Sequence, residues 1–238
     1  MKIAIIGDIH SNIFALKSVI KDIENRDVDT IISTGDIVGY LTHPNEVVNL
    51  MRDKKIFSVK GNHDERISNK STIPKEKLDN MNLKNIHKKG SLNYMRYIIN
   101  DKNINWLKNL PNKIKIEFNG LKVMIVHGSP RKIDEYMYED SENLKEFSKK
   151  EDSDIIISGH THKPYHKKVN KTHFINAGSV GKPKTGDPRA NYIILNIENK
   201  KVSTEIIKVK YAIDKIIKAI KSNKMIPSKL VNNLSEGI

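Results

Sequence analysis

The sequence predicts an α/β fold with two β-sheets, because apolar residues are patterned differently in its two halves. In residues 1–60, short runs of Ile and Val alternate with amphipathic stretches in a βαβαβ order, which is typical of parallel strands covered by helices. After Pro111, short apolar runs separated by turns dominate and favour hairpins in a second sheet. The 238 residues are enough for one compact domain of this class.

The first half contains three predicted strands and two predicted helices. Apolar residues recur at helical spacing from Ile13 to Ile23, and Ser11 or Asn12 can cap the start of this helix. The predicted strands are residues 3–6, 31–32 and 56–59, and the predicted helices are residues 13–23 and 47–51.

The second half begins after a polar segment at about 65–110, which is rich in Lys and Asn and contains predicted helices at 92–99 and 103–110. Asn119-Gly120 predicts a hairpin turn between strands. The remaining predicted elements are strands 114–118, 123–126, 155–157, 167–169, 173–176, 192–197 and 202–209, and a helix at 142–150. We expect a single domain over 1–238, with a helical insertion or cap at about 65–110 and a C-terminal helical tail at about 212–238.

The composition excludes several classes of protein. The chain has no Cys, so disulfides, thiolate metal sites and cysteine nucleophiles are excluded. No apolar run approaches the ~18 residues of a membrane helix. The N-terminal run Ile3–Ile6 is too short for a signal peptide, so we expect a cytoplasmic protein with no membrane contact.

The formal charge of +14 raises the question of a nucleic-acid partner. Lys supplies most of the 42 basic residues and accompanies abundant Asn and Ile, a pattern that indicates a general composition bias. Phosphate-reading surfaces tend to use Arg for its bidentate fork. Nucleic-acid binding is therefore not the favoured interpretation, and the sequence leaves homo-oligomerisation open.

Side chains that can bind metal follow five of the predicted strands. They are Asp8 and His10, Asp36, Asn62 with His63, His127, and His160 with His162. Ligand sites in α/β sheets form at the carboxyl ends of strands, so we expect these side chains at one site. Imidazole, carboxylate and amide oxygen without sulfur suit Mn²⁺, Fe, Zn²⁺ or Ni²⁺, and the number of ligands indicates two ions. Two divalent ions attract an anion and suit a phosphate ester.

At these positions the sequence resembles the calcineurin-like metallophosphoesterases, and the resemblance spans residues 1 to about 182. The matching blocks, in order, are Asp8-Ile9-His10, Gly35-Asp36, Gly61-Asn62-His63-Asp64, His127 and Gly159-His160-Thr161-His162. The resemblance implies two mixed β-sheets packed as a sandwich flanked by helices. Residues 8–12, 159–164 and 176–181 look like the small bacterial and archaeal phosphodiesterase branch. Asp36 is followed by Ile37 and the third block ends in Asp64, which disfavours the protein Ser/Thr phosphatase branch.

The family also implies roles for the site residues. One ion would be held by Asp8, His10, Asp36 and His162, and the other by Asp36, Asn62, His127 and His160. Mn²⁺ is the first expectation, and Ni²⁺, Fe, Zn²⁺ and Mg²⁺ are alternatives. Asn62 and His63 would contact the phosphate, and His63 would be the catalytic residue that assists the leaving group.

The implied function is metal-dependent hydrolysis of phosphate esters, as a phosphodiesterase or small-molecule phosphatase, by a hydroxide that bridges the metals. The substrate would be a small phosphate ester or a nucleotide. The alternatives are a metal-dependent nuclease and a non-catalytic interaction scaffold on the same fold.

Several residues near the motifs have two interpretations. Arg66 and Arg131 could clamp phosphate, although solvated surface positions are favoured for both. Asp64 could orient the neighbouring histidine or cap a turn. Trp106 is expected to pack a helix of the insertion, with base stacking as the alternative. His43 could touch substrate, but the start of a helix explains it better.

Overall fold

The computed structural model describes residues 1–69 and 71–238, and it contains two five-stranded sheets with helices outside them. The strands are β1 (Lys2–Ile6), β2 (Thr30–Ser33), β3 (Phe57–Ser58), β4 (Lys113–Phe118), β5 (Leu121–Val126), β6 (Ile155–Ser158), β7 (Tyr165–Val169), β8 (Thr172–Asn176), β9 (Ala190–Glu198) and β10 (Lys201–Val209). The helices are α1 (Ile13–Glu24), α2 (Pro44–Asp53), α3 (Asn62–Ser68), α4 (Lys75–Asp79), α5 (Leu83–Ile86), α6 (Lys88–Ile98), α7 (Asp101–Lys108), α8 (Asn143–Lys150), α9 (Ile213–Lys221) and α10 (Lys229–Glu236).

Both sheets are mixed, which confirms the predicted fold class. The first has the order β10-β9-β1-β2-β3, with β1, β2 and β3 parallel and β9 antiparallel to β1. The second has the order β4-β5-β6-β8-β7, with β5, β6 and β8 parallel. Since parallel strands end at the same edge of a sheet, the loops after β1, β2 and β3 lie side by side, as do those after β5 and β6.

The core between the sheets follows from the alternation of side chains along each strand. Ile3 and Ile5 of β1 pack into a buried cluster that contains residues of both sheets, including Ile157 of β6. Ala4 and Ile6 belong to a different buried cluster, shared with the helices on the outer side of the first sheet. The strand is apolar on both faces because both of its faces are covered.

The helices of the first half begin close to where the sequence predicts. Asn12 caps α1, since its side-chain oxygen accepts a hydrogen bond from the backbone N–H of Ala15 at 3.2 Å. His43 occupies the N-cap position of α2, which begins at Pro44, so the helix-start interpretation of His43 holds. Trp106 of α7 packs partly buried against the main helical cluster, as expected for core packing.

Helices α3 to α7 lie within residues 62–108, joined by short connections. Helix α3, which begins at Asn62, is not among the helices that the sequence predicts. Asp64, in the first turn, caps the start of the helix, because its Oδ2 accepts a hydrogen bond from the backbone N–H of Gly61 at 2.9 Å. The role of this helical stretch as a cap stays a prediction.

Two helices follow the last strand, with the Pro227 break between them. Their apolar residues Ile216, Ile220, Leu230 and Leu234 are buried in the same cluster as α1. Among the described residues, no helix is long and apolar enough to cross a membrane.

Because Ile157 lies in the core between the sheets and has no exposed surface, truncating its side chain should destabilise the fold strongly. We expect Ile157→Ala to lower the free energy of unfolding by about 2–5 kcal/mol, because it removes buried methyl groups and leaves a cavity. Urea denaturation measures the change. Ile206→Ala is the matched control, since Ile206 is 44% exposed on β10. Equal destabilisation by the two substitutions would contradict this account of the core.

Candidate metal centre

The candidate site lies where five strands end. Short loops after β1, β2, β5 and β6 and the first turn of α3 carry all the side chains that the sequence singles out: Asp8, His10, Asp36, Asn62, His63, His127, His160 and His162. All eight are buried, with at most 9% of any residue exposed. The two sheets therefore bring together residues that are up to 154 positions apart in the chain, from Asp8 to His162.

The backbone at the site turns sharply. Asp8, His10, Asp36, His160 and His162 all have positive φ, between 48° and 65°. This left-handed region is uncommon for residues with a Cβ and costs free energy. The concentration of such turns at five polar positions indicates that the surrounding fold holds these side chains in place for a purpose other than stability.

A first cluster of donors consists of Asp8, His10 and His162, whose ligand atoms lie within 4.8 Å of one another. Nε2 of His10 is 3.1 Å from Nε2 of His162, and Oδ1 of Asp8 is 3.1 Å from Nε2 of His162. The Nδ1 atom of each histidine contacts a backbone carbonyl, that of Val38 for His10 and that of Lys182 for His162. These contacts assign the ring proton to Nδ1 and direct the Nε2 lone pairs into the cluster.

A second cluster consists of Asp36, His127 and His160, with Asn62 beside it. His127 donates its Nδ1 proton to the carbonyl of Thr34 at 2.8 Å, so in the neutral ring Nε2 carries the lone pair. That Nε2 lies 3.4 Å from Oδ2 of Asp36 and 3.0 Å from the side-chain amide of Asn62.

The Asn62 amide can meet this cluster in two orientations. With its oxygen toward His127 it presents a lone pair to the cluster, as a metal ligand would. With the amide rotated, its nitrogen donates to His127 and His160, and its oxygen accepts from Arg66 at 2.8 Å. Arg66 therefore lies against a site residue, whereas the solvated surface position was the favoured interpretation. Arg131 pairs instead with Glu135 and Glu146 at the surface.

Asp36 connects the two clusters through a single oxygen. Its Oδ2 lies 3.7 Å from Nε2 of His10 and 3.4 Å from Nε2 of His127. Its Oδ1 accepts a hydrogen bond from the backbone N–H of His63 at 2.8 Å. Gly61 allows this close approach, because a Cβ there would lie 2.1 Å from the backbone nitrogen of Asp36.

The donor atoms fit divalent cations. Nε2 of His10 and Nε2 of His162 face each other while both Nδ1 protons are directed at carbonyls, so two lone pairs meet at 3.1 Å. Oδ1 of Asp8 is buried and accepts no hydrogen bond from the described residues. Burial of unpaired acceptors is costly, and a cation between them removes that cost. Imidazole nitrogen and carboxylate oxygen are the donors that Mn²⁺, Fe and Zn²⁺ accept.

Charge around the carboxylates is consistent with this arrangement. Burial raises the pKa of Asp8, but its charge interaction with the neighbouring His162 and the proximity of His10 outweigh burial and hold this pKa well below its usual range. Burial likewise lowers the pKa of His127, but the carboxylate of Asp36 dominates and raises it to about 9. A cation would replace the proton that the carboxylate stabilises on this ring, so metal binding would release protons.

His63 lies on the first turn of α3 and packs against the aromatic rings of the site. Its ring centre is 5.1 Å from that of His10 and 4.6 Å from that of Tyr40. Burial lowers the pKa of His63 to about 3, so the imidazole is neutral near pH 7. A nitrogen of His63 also lies within 4.8 Å of donor atoms of His10 and Asp36, close enough to bind a cation with them.

Asp64 fixes the backbone turn that carries His63, and Gly39 leaves space for the His63 ring. The buried carboxylate of Asp64 accepts from the backbone N–H groups of Val38, at 3.0 Å, and Gly61. Burial, together with the charge of Asp36, raises the pKa of Asp64 to about 7. Of the two interpretations of Asp64, the structure therefore supports capping. At Gly39, where φ is +111°, a Cβ would lie 2.6 Å from Nδ1 of His63.

Sequence reasoning missed the aromatic residues of the site. Tyr40 contacts the His10 and His63 rings, and Tyr136 stacks on His160 with ring centres 4.2 Å apart. Tyr40 directly follows the second block, but no spacing rule assigns its ring to the site. Tyr136 lies nine positions after His127 in a loop, where only the alternation of Tyr136, Met137 and Tyr138 could have signalled two rings on one side.

Comparisons with known proteins identify the family of this chain. A family model described as the calcineurin-like phosphoesterase superfamily domain matches residues 1–200. An uncharacterized protein from Methanocaldococcus jannaschii is 35% identical over 243 residues, covering 94% of this chain and 93% of that protein. A metallophosphoesterase from Sphaerobacter thermophilus superposes with a TM-score of 0.84 at 30% identity, covering 100% of this chain and 99% of that chain. A hypothetical protein from Pyrococcus horikoshii OT3 has the same fold, with a TM-score of 0.86, 18% identity and coverage of 100% and 98%.

The shared position of Asp36 predicts that Asp36→Asn abolishes cation binding. The amide has no charge and cannot serve both clusters, so we expect loss of bound Mn²⁺ and of Mn²⁺-induced stabilisation. For the unaltered protein that stabilisation reaches about 2.7 kcal/mol at a hundred times the dissociation constant. Elemental analysis and thermal unfolding measure the two effects. Asp27→Asn, at an exposed residue that also has positive φ, is the control. Full Mn²⁺ content in Asp36→Asn would contradict the assignment.

Proposed function

Because the chain belongs to the calcineurin-like phosphoesterase superfamily, we propose that it hydrolyses phosphodiesters or small phosphomonoesters with two divalent cations at the candidate metal centre. Family membership implies metal-dependent phosphoester hydrolysis. The observation that carries the two-cation form is the position of Asp36 Oδ2, which faces His10 on one side and His127 on the other. A carboxylate oxygen shared by two donor clusters is an arrangement suited to a pair of cations.

Each cation would have four protein ligands. Asp8, His10, Asp36 and His162 would hold the first, and Asp36, Asn62, His127 and His160 would hold the second. Mn²⁺ is the proposed metal, and the donor set also admits Fe, Zn²⁺ and Ni²⁺. When bound, such a pair polarises the phosphoryl oxygens and lowers the pKa of a coordinated water, which supplies the nucleophile.

The chain's own residues would bind and orient the ester. Two divalent cations exceed the charge of Asp8 and Asp36, so the site would attract an anionic phosphate group. The Asn62 amide and the His63 ring lie on the same turn of α3 and face the clusters, where both could contact the phosphoryl oxygens. The hydrogen bond from the backbone N–H of His63 to Asp36 holds this turn beside the candidate metal ligands.

His63 would hold the proton that the leaving group needs. Its ring is neutral in the free site because burial lowers its pKa to about 3. A phosphoester brings negative charge beside the ring, which favours the protonated imidazole and raises this pKa. The proton would then pass from the imidazole to the oxygen of the departing alcohol. Glycine at position 39 leaves the space that the imidazole ring occupies.

His63→Ala separates the proposed role of this residue from that of the ligands. We expect the variant to keep its metal content and to lose about 10²- to 10⁴-fold in kcat, because only proton transfer is removed. The loss should be larger for an alkyl leaving group than for nitrophenolate, which needs no proton. Metal analysis and steady-state kinetics give both readouts.

The control for this variant is His87→Ala, at a histidine outside the site whose ring bonds the carbonyl of Lys224. It should keep both metal and turnover. Loss of metal from His63→Ala in parallel with activity would show that His63 is a ligand, as its distance from His10 and Asp36 allows.

The proposed function itself is tested with paired chromogenic phosphomonoester and phosphodiester substrates. Metal-free protein is reloaded separately with Mn²⁺, Ni²⁺, Zn²⁺ or Mg²⁺, and turnover is compared with that of the metal-free protein. We expect turnover only in loaded protein, and the faster substrate identifies the mono- or diesterase preference. Absence of turnover with every metal, despite bound ions, would contradict the catalytic proposal and favour a scaffold role.

A further inference from the structure

The guanidinium of Arg66 lies at the rim of the candidate metal centre and has no ion-pair partner among the described residues. Arg66 and Asn62 are one helical turn apart on α3, so their side chains share one face of the helix. Nη1 and Nη2 of Arg66 lie 2.8 Å and 3.2 Å from the side-chain amide of Asn62. Three other arginines of the chain each pair with a carboxylate. The site therefore holds a guanidinium that an amide contacts and no carboxylate neutralises.

Asp134 is close to Arg66 but does not neutralise it. The hydrogen bond to Lys132 is the main cause that lowers the pKa of Asp134, and the charge of Arg66 contributes least. Nζ of Lys132 lies 3.0 Å from Oδ1 of Asp134, so this carboxylate already has a cationic partner.

Without a cation in the second cluster, the Asn62 amide satisfies its neighbours when its nitrogen faces that cluster. In this orientation the nitrogen donates to Nε2 of His127 at 3.0 Å and to Nδ1 of His160 at 3.1 Å. The two amide protons point at two imidazole lone pairs, and the amide oxygen accepts from Arg66. Because every donor then meets an acceptor, we expect Asn62 to hold Arg66 in the cation-free protein.

With a cation bound in the second cluster, this preference reverses. The lone pairs of His127 and His160 would be used by the cation, and Asn62 could bind it only through its oxygen, because the amide nitrogen is a donor. Half a turn of the amide exchanges the two atoms. The amide nitrogen would then face Nη1 and Nη2 of Arg66 at 2.8 Å and 3.2 Å, donor against donor. The guanidinium would lose its acceptor and become free to bind another group.

The freed guanidinium would lie beside the residues assigned to the phosphate. His63 is on the same turn of α3 as Asn62. Burial is the main cause that lowers the pKa of His63, and the charge of Arg66 contributes to the same shift. A phosphoryl group offers negative charge and several acceptor oxygens, which a guanidinium binds through two parallel hydrogen bonds.

We propose that Arg66 is a phosphate-binding residue that Asn62 releases when a cation occupies the second cluster. This inference rests on the proposed function, because it takes the metal centre as the phosphate site. The amide oxygen of Asn62 can meet either Arg66 or the cation, so one side chain links the two binding events. By thermodynamic linkage, phosphate bound to Arg66 also favours the cation in the second cluster.

Calorimetric titration of inorganic phosphate into Mn²⁺-loaded protein tests the role of Arg66. Arg66→Ala should weaken phosphate binding about 10- to 100-fold, because charge-assisted hydrogen bonds are lost. Arg66→Lys should restore only part of the affinity, since an ammonium lacks the two-pronged geometry. The matched control is Arg131→Ala, at an arginine that pairs with Glu135 and Glu146, and it should leave the affinity unchanged. The Mn²⁺ content of each variant is measured in parallel.

Asn62→Asp tests the release of Arg66. A carboxylate has an acceptor oxygen on each side, so it would bind the cation and still hold the guanidinium. We expect this variant to keep its Mn²⁺, and we expect Arg66→Ala to change its phosphate affinity by no more than about 2-fold, as for groups that make no joint contribution. The same 10- to 100-fold loss in both backgrounds would overturn the proposal, because Arg66 would then act independently of Asn62.

The outcomes separate this inference from the proposed function. If loaded protein binds phosphate and hydrolyses esters, but Arg66→Ala leaves the phosphate affinity unchanged, the inference is wrong and the proposed function stands. Absence of both phosphate binding and turnover in the unaltered loaded protein would overturn the proposed function and the role of Arg66 with it.

Discussion

Two carboxylates buried among imidazole rings are the constraint on which the rest of this structure depends. Asp8 is fully buried and Asp36 is 1% exposed, and neither has a Lys or Arg as an ion-pair partner among the described residues. Removing a carboxylate from water costs several kcal/mol unless positive charge or hydrogen bonds compensate. The histidines supply that compensation in part, and the geometry of their nitrogens leaves room for cations to supply the remainder.

The fold meets this constraint through the ends of parallel strands. Each strand delivers its polar residues to one edge, and positive-φ turns then direct the side chains inward. Such turns are unfavourable by themselves, so they depend on the buried layers on both sides of each sheet. Backbone carbonyls of Thr34, Val38 and Lys182 orient three of the histidines, which shows that the loops act as the supporting layer of the site.

The surroundings of the metal centre differ from its interior in the chemistry they offer. The interior contains carboxylates, imidazoles and one amide, which suit cations and phosphate. The rim contains Tyr40, Tyr136 and Tyr138 and the guanidinium of Arg66 beside Asn62. The interior therefore offers ligands for cations, whereas the rim offers aromatic rings and a guanidinium group. The high positive charge of the chain does little to select one ligand at the site, since its lysines are spread along the whole sequence.

The sequence by itself determined which residues could form the site and which fold could bring them together. Apolar runs placed β1, β2 and β6 within one residue of their observed ends, and the polar residues after them identified Asp8, Asp36 and His160. These features are local, because a strand and the turn after it depend on neighbouring residues. The predicted sandwich of two mixed sheets rested on the family resemblance, and the structure confirms it.

Only the tertiary structure decided the relations between distant segments. The oxygen of Asp36 lies between His10 and His127, and the carboxylate of Asp64 accepts a hydrogen bond from Val38. Both contacts join segments of the chain that are separate in sequence. The stacking of Tyr136 on His160 is of the same kind. A one-dimensional pattern does not encode distances between such segments, because they are set by how the two sheets pack and where their loops meet.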